Sequence, residues 1–365
     1  MTRTWAFKER EGAGPVKKWI PVLALSLALL LPGCVSLNGL AYTVVEPHAE
    51  HPVLGEDSST IKASTYSELV NGVLFFITQG MEEGVIQLTD YKGDVEEDLN
   101  RACLEVAKDD PLGAYAVDFI KNDYTTILTT YEATITVSYR RTLEQIGSLV
   151  NITGTSAIQD EAAQALAAFQ PELALRVGYF TGDAEAVKEQ VRRAYYTVPA
   201  AALGMPACTV ALYPDTGSQR IVEILLDYPQ ESAALRRQSQ ELQAQAESIL
   251  APIRHQIESR RLDLLMDAVA GAVKVDPHGG TTPWDALLGE GANHEGLALA
   301  FQLLCDGLGL DCTVVEGSLA GEPRFFNQVV HGRSTLWVDL SRSTSQTFST
   351  TQMTELGYQW EGQGQ

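Results

Sequence analysis

Nucleophilic or metal chemistry in this chain of 365 residues would draw on six histidines and five cysteines, and their positions narrow the choice. A thiolate attacks a carbonyl when a neighbouring base or a helix N-terminus lowers its pKa, and an imidazole serves as base or ligand near neutral pH. No two of His48, His51, His255, His278, His294 and His331 have helical ligand spacing within one ordered element. His48 and His51 fall in a segment with Pro47, Pro52 and Gly55, and His278 in the loop Pro277-His278-Gly279-Gly280. His331 reads as a solvated residue of a hairpin turn. His294 differs, because with Glu295 it opens an apolar run.

From Asn293 the apolar residues Leu297, Ala298, Phe301, Leu304, Cys305 and Leu308 recur at helical spacing. The helix is too apolar for a surface element, so it is expected at the centre of a domain. Gly309 should end it, and the β-branched run Leu310–Glu316 should be a buried strand. Cys305 and Cys312 then lie on central elements where cysteine behaves as a small core hydrophobe. With Cys103 and Cys208 they are too few for a disulfide scaffold, and three pairings stay open.

The run Gly289–Gly317 resembles the bacterial transglutaminase-like fold related to cysteine proteases, whose core motif runs roughly GxxCEGYAxAFxxLLxxxGIxCxxVxG. The matching residues are Gly291, Glu295, Gly296, Ala298, Ala300, Phe301, Leu303, Leu304, Gly309, Cys312, Val315 and Gly317. The family's next strands, HAWNxV and WYxVD, correspond to Arg324–Val329 and Leu336–Asp339, and a closing segment to Gly357-Tyr358-Gln359-Trp360. The resemblance covers about residues 240–365 and implies a papain-like domain there. It also implies a loss: the nucleophilic Cys is His294, the catalytic His is Arg324, and Asp339 alone is as expected. Arg324 cannot accept a proton at physiological pH, so a nucleophile at residue 294 would lack its general base.

If that fold holds, His294, Arg324 and Asp339 should converge, with Arg324 and Asp339 paired bidentately and His294 neutral at the positive end of a helix. A hydrogen-bonded His294–Asp339 pair is another expectation. His294, Glu295 and Asp339 as a three-ligand metal site is the sharper alternative, and no cofactor or metal is expected.

The N-terminus carries Arg3, Lys8, Arg10, Lys17 and Lys18, then the 13-residue apolar run Trp19–Leu31, then Leu31-Pro32-Gly33-Cys34. The run is shorter than the ~20 residues a spanning helix needs, which makes residues 1–33 an export signal. Its end resembles a bacterial lipobox, which implies cleavage before Cys34 and lipidation of that thiol. Removing residues 1–33, with five Lys/Arg and two Glu, moves the formal charge from −21 to −24. So acidic a chain argues against nucleic acid as partner. Its attachment to a membrane should come from acyl chains and not from a basic face.

Residues 34–60 read as a tether. Beyond it the expected order is helix Tyr66–Gln79, strand Gly84–Leu88, helix Val95–Val106, strand Ala114–Ile120 and a long strand Thr125–Tyr139. An offset of 89 residues pairs Val85-Ile86-Leu88 with Ala174-Leu175-Val177, Gly93-Asp94 with Gly182-Asp183, Tyr124 with Tyr213, Ile135 with Ile224 and Tyr139 with Tyr228. This suggests a repeat: α/β modules at 61–147 and 150–235, each with a three-stranded antiparallel sheet, Asp94 and Asp183 capping helices. Residues 229–250 should form a solvated connecting helix interrupted by Pro252, followed by a helix over Arg254–Val275.

The expected fold class is therefore α+β, two small α/β modules followed by the transglutaminase-like domain. The expected function is that of a lipid-anchored extracytoplasmic protein whose degenerate, non-catalytic C-terminal domain binds or assembles a protein, a peptide or cell-wall material. The alternatives are a cysteine-independent or metal-assisted hydrolase or transamidase using the same cleft, and a structural envelope component.

Overall fold

A computed structural model describes residues 53–54 and 60–363, as a mixed α/β chain with three sheets. The expected export signal, residues 1–33, and Cys34 lie outside the described residues. Among the described residues no helix is long and apolar enough to cross a membrane.

The first sheet is built from β1 (Val53–Leu54), β2 (Thr60–Ala63), α1 (Tyr66–Thr78), β3 (Glu83–Leu88), α2 (Val95–Lys108), α3 (Pro111–Ala116), β4 (Val117–Ile127) and β5 (Thr130–Tyr139). Its order is β1-β2-β3-β5-β4, with β2 parallel to β3 and the other pairs antiparallel. After α4 (Leu143–Gly147), a second sheet follows from β6 (Val150–Gly154), α5 (Ile158–Ala167), β7 (Glu172–Tyr179), α6 (Ala184–Tyr195), β8 (Ala207–Tyr213) and β9 (Arg220–Asp227). Its order, β6-β7-β9-β8 with β6 parallel to β7, repeats β2-β3-β5-β4 strand for strand. Asp94 and Asp183 are equivalent N-caps, accepting from the N–H of Glu97 and Ala186.

Several expectations are corrected here. Each of the first two sheets is mixed, because a short parallel strand, β2 or β6, precedes the three antiparallel ones. Val53–Leu54 and Thr60 pair as strand where a tether was expected. Residues 111–116 are helical, not strand: Asp110 caps the N–H groups of Leu112 and Gly113, and Pro111 occupies the first turn. Gly113 is required there, since a Cβ would sit 1.8 Å from the Val106 carbonyl oxygen. The expected long strand over 125–139 is a hairpin, turned at Leu128 with φ +55°.

The C-terminal part comprises α7 (Ser232–Arg254), α8 (Glu258–Ala272), β10 (Val275–Gly280), α9 (Pro283–Leu287), α10 (His294–Leu308), β11 (Asp311–Leu319), β12 (Glu322–His331), β13 (Ser334–Val338), β14 (Phe348–Ser349), α11 (Thr350–Glu355) and β15 (Tyr358–Trp360). Pro252 does not interrupt α7; it lies in the last turn, so the bond its missing N–H forgoes and any bend it causes are confined to the helix end. Nor is α7 solvated on all sides, for Leu235, Leu242, Ala246, Leu250 and Ile253 are buried against the core. The stretch Pro277–Gly280 belongs to β10, bridged to Ala292, and is not a free loop.

Helix α10 starts at the Asn293 cap and ends at Gly309 in the left-handed conformation. Eleven of its fifteen residues are buried, so it packs on every side. Leu297, Phe301 and Leu304 join the core shared with α7 and α8, while Leu299 belongs to the core of the second sheet. Truncating Phe301, fully buried, would cost about 3–5 kcal/mol. The third sheet, β14-β13-β12-β11-β15, carries the strands beside the N-terminus of this helix.

Candidate functional site

Close packing positions the start of α10. The Asn293 side chain accepts from the N–H of Glu295 and Gly296, and Gly296 has no room for a Cβ, which would lie 2.7 Å from the Thr282 carbonyl oxygen. His294 is thereby held against β12. Its Nδ1 accepts the Phe325 N–H at 3.2 Å, which leaves the proton of the neutral ring on Nε2. The ring stacks on Phe325 with centroids 5.9 Å apart, and Phe325 stacks on Tyr196 at 5.1 Å.

Asp339, which follows β13, is 1% exposed and collects five donors. On Oδ2 these are Arg324 Nε at 2.8 Å and the Tyr358 hydroxyl at 2.7 Å. On Oδ1 they are the Ser341 hydroxyl at 2.5 Å and the N–H groups of Ser341 and Arg342. The Arg324–Asp339 contact is therefore made through Nε alone and is not the bidentate fork the residue types suggest. Burial, aided by the bond to Asp339, pushes the Tyr358 hydroxyl up to about 12, so it stays a donor.

The structure thus brings Arg324 and Asp339 together and His294 beside them, but without a His294–Asp339 hydrogen bond. The His294 pKa is lowered chiefly by burial and then by the Arg324 guanidinium, with Asp339 opposing. Glu295 turns away to accept the Tyr196 hydroxyl at 2.9 Å; burial raises its pKa and that bond lowers it. Every member of the supposed ligand set His294, Glu295 and Asp339 thus has another partner. Among the described residues no three His, Cys, Asp or Glu side chains are grouped to hold a metal. The four cysteines Cys103, Cys208, Cys305 and Cys312 are free thiols, and none of them is a partner of His294.

Two contributors were not foreseen. Tyr196 reaches Glu295 across 99 residues, and no local pattern announces such a contact. Gln302, on a helix read as too apolar for the surface, is 5% exposed and accepts the Val314 N–H on its Oε1.

Next to the aromatic stack lies a groove of about 560 Å³, bounded by Arg192, Tyr196, Gln302, Phe325 and residues 313–316 of β11. Arg192 binds Glu189 with two nitrogens and Glu316 with a third, at 2.6–2.9 Å, tying α6 to β11 across the groove. β15 covers β11 only at Gly317–Leu319. The Val314 N–H points away from β12 to Gln302, so the alternation of an antiparallel pair turns the Glu316 N–H and C=O to the same uncovered edge.

No family model matches the chain, and no curated protein matches it. Among solved structures, one described as "Crystal structure of a TGase" is similar with a TM-score of 0.26 and 14% identity. The similarity covers 46% of this chain and 50% of that one, so the chain spans about half that structure's length.

Proposed function

We propose that this chain is an extracytoplasmic lipoprotein, anchored through Cys34, whose residues 240–365 form a transglutaminase-like domain that binds a partner without catalysis. The observation that carries the non-catalytic reading is the state of His294, Arg324 and Asp339. Asp339 is saturated by Arg324, Tyr358 and the Ser341 turn, and Phe325 covers the His294 ring. A general base needs a free acceptor within reach of a nucleophile, and here the acceptors are committed to structural donors. The hydrolase or transamidase alternative would require Glu295 or Asp339 to abandon these partners.

What supports a binding role is the groove beside that cluster. An extended segment of a protein or peptide could add to the uncovered part of β11, with main-chain bonds at Glu316 and side chains against Tyr196 and Phe325. Fluorescence polarisation with labelled extended peptides and soluble cell-wall fragments tests this. The expected result is binding that survives His294→Ala and is lost in Glu316→Pro, which removes an outward N–H. Conversion of any bound member to product would contradict the reading.

A further inference from the structure

The tip of the β4–β5 hairpin has no role in the site. It reads Tyr124-Thr-Thr-Ile-Leu-Thr-Thr-Tyr131, eight residues without a charge in a chain of formal charge −21. Tyr124 and Tyr131 pack edge to face, 6.1 Å apart, against the end of the core. Beyond them Ile127 is 47% exposed and Leu128 95%. Leu128 is also the first residue of a two-residue turn, at a φ of +55° that favours glycine or asparagine. The fold does not demand an apolar tip: the corresponding β8–β9 turn of the second sheet is Pro214-Asp215-Thr216-Gly217-Ser218-Gln219.

The register shows where this tip lies relative to the preceding chain. Val53 of β1 is opposite Lys62, so the chain enters the sheet at the end where β2 finishes. There Ala63 lies beside Leu88, and Leu88 beside Tyr131, next to the turn. Entry and tip therefore share one end of the sheet, separated by four strand spacings, about 19 Å. Residues 34–52, nineteen in number, span at most about 65 Å, ample to serve both points from one surface.

We infer that Ile127 and Leu128 form a second contact with the membrane, inserting into the acyl boundary of the bilayer that holds the lipidated Cys34, with the tyrosine pair at headgroup level. This rests on the lipid-anchor reading. The formal charge of −21 disfavours an anionic lipid surface, so the surface suited to this tip is zwitterionic.

The full lipidated chain bearing Leu128→Trp, reconstituted into phosphatidylcholine vesicles with brominated acyl chains, tests the inference after subtraction of the unsubstituted protein's emission. The added indole should be blue-shifted and quenched, whereas Thr216→Trp, in the polar turn of the second sheet, should be neither. A chain that floats with the vesicles while the Leu128→Trp emission is unquenched overturns the inference and leaves the anchor standing. A chain that does not float removes the anchor reading and this inference with it.

Discussion

Replacing Arg324 with Ala removes the guanidinium that meets Asp339, and the structure sets the size of the effect. Asp339 is 1% exposed, so water cannot take the guanidinium's place without rearrangement. Stranding one partner of a buried ion pair costs roughly 3–5 kcal/mol. Here four other donors stay, from Tyr358, Ser341 and Arg342, and the Arg324 side chain is itself 21% exposed. The cost should therefore fall to about 2–3 kcal/mol, that of a hydrogen bond to a charged group. Tyr358→Phe removes a donor on the same Oδ2 and should cost a similar or smaller amount, with the double variant departing from the sum because both act on one carboxylate. Urea unfolding of residues 35–365 at pH 7 reads this as a shift of midpoint at constant slope. An Arg324→Ala protein within about 0.5 kcal/mol of the parent would refute the view that this pair holds the cluster together.

Three further outcomes are expected. His294 has its pKa lowered in the folded state, so its contribution to stability is present above the unfolded value of about 6.5 and is lost as pH falls through the folded value. The difference in unfolding free energy between parent and His294→Gln should accordingly change with pH only below about 6.5, and a change confined to higher pH contradicts the assignment. Native alkylation should be slow at Cys103, Cys208, Cys305 and Cys312, because burial pushes Cys103 up to about 11 and raises Cys208 and Cys305, and the Cys312 side chain is buried from reagent; one of these thiols reacting faster than a free peptide thiol near neutral pH would revive cysteine chemistry. Metabolic labelling with a fatty acid should mark the parent and not Cys34→Ser, and label retained by the variant sinks the lipid anchor.

How much of this was legible in the sequence depends on whether a residue's partner is local. Helix α10 and its end at Gly309 could be read because apolar spacing and a left-handed glycine are local signals. The strands at Arg324 and Leu336, and the meeting of Arg324 and Asp339, were expected from the family resemblance and not from any local pattern in these residues. The turn at Leu128 was not, since it lacks the glycine or asparagine that marks such turns. Strands β2 and β6, four and five residues long, are too short for an alternating pattern to stand out, so each sheet was read without its parallel strand. The buried face of α7 was masked by its Gln and Glu content, although Leu235, Leu242, Leu250 and Ile253 keep near-heptad spacing. The most consequential omission was the aromatic stack, in which Phe325 covers His294 and Tyr196, at the end of α6, packs on Phe325.

The central proposal, that His294, Arg324 and Asp339 perform no chemistry, is tested most directly by turnover on purified protein. Release of ammonia from glutamine-containing peptides, transfer to a primary amine and hydrolysis of the peptide bond should be followed for the parent and His294→Ala in parallel. The account predicts the same background rate for both proteins, with peptide binding unchanged by the substitution. Measurable turnover by the parent that His294→Ala abolishes, while the variant's fold is intact, would contradict it.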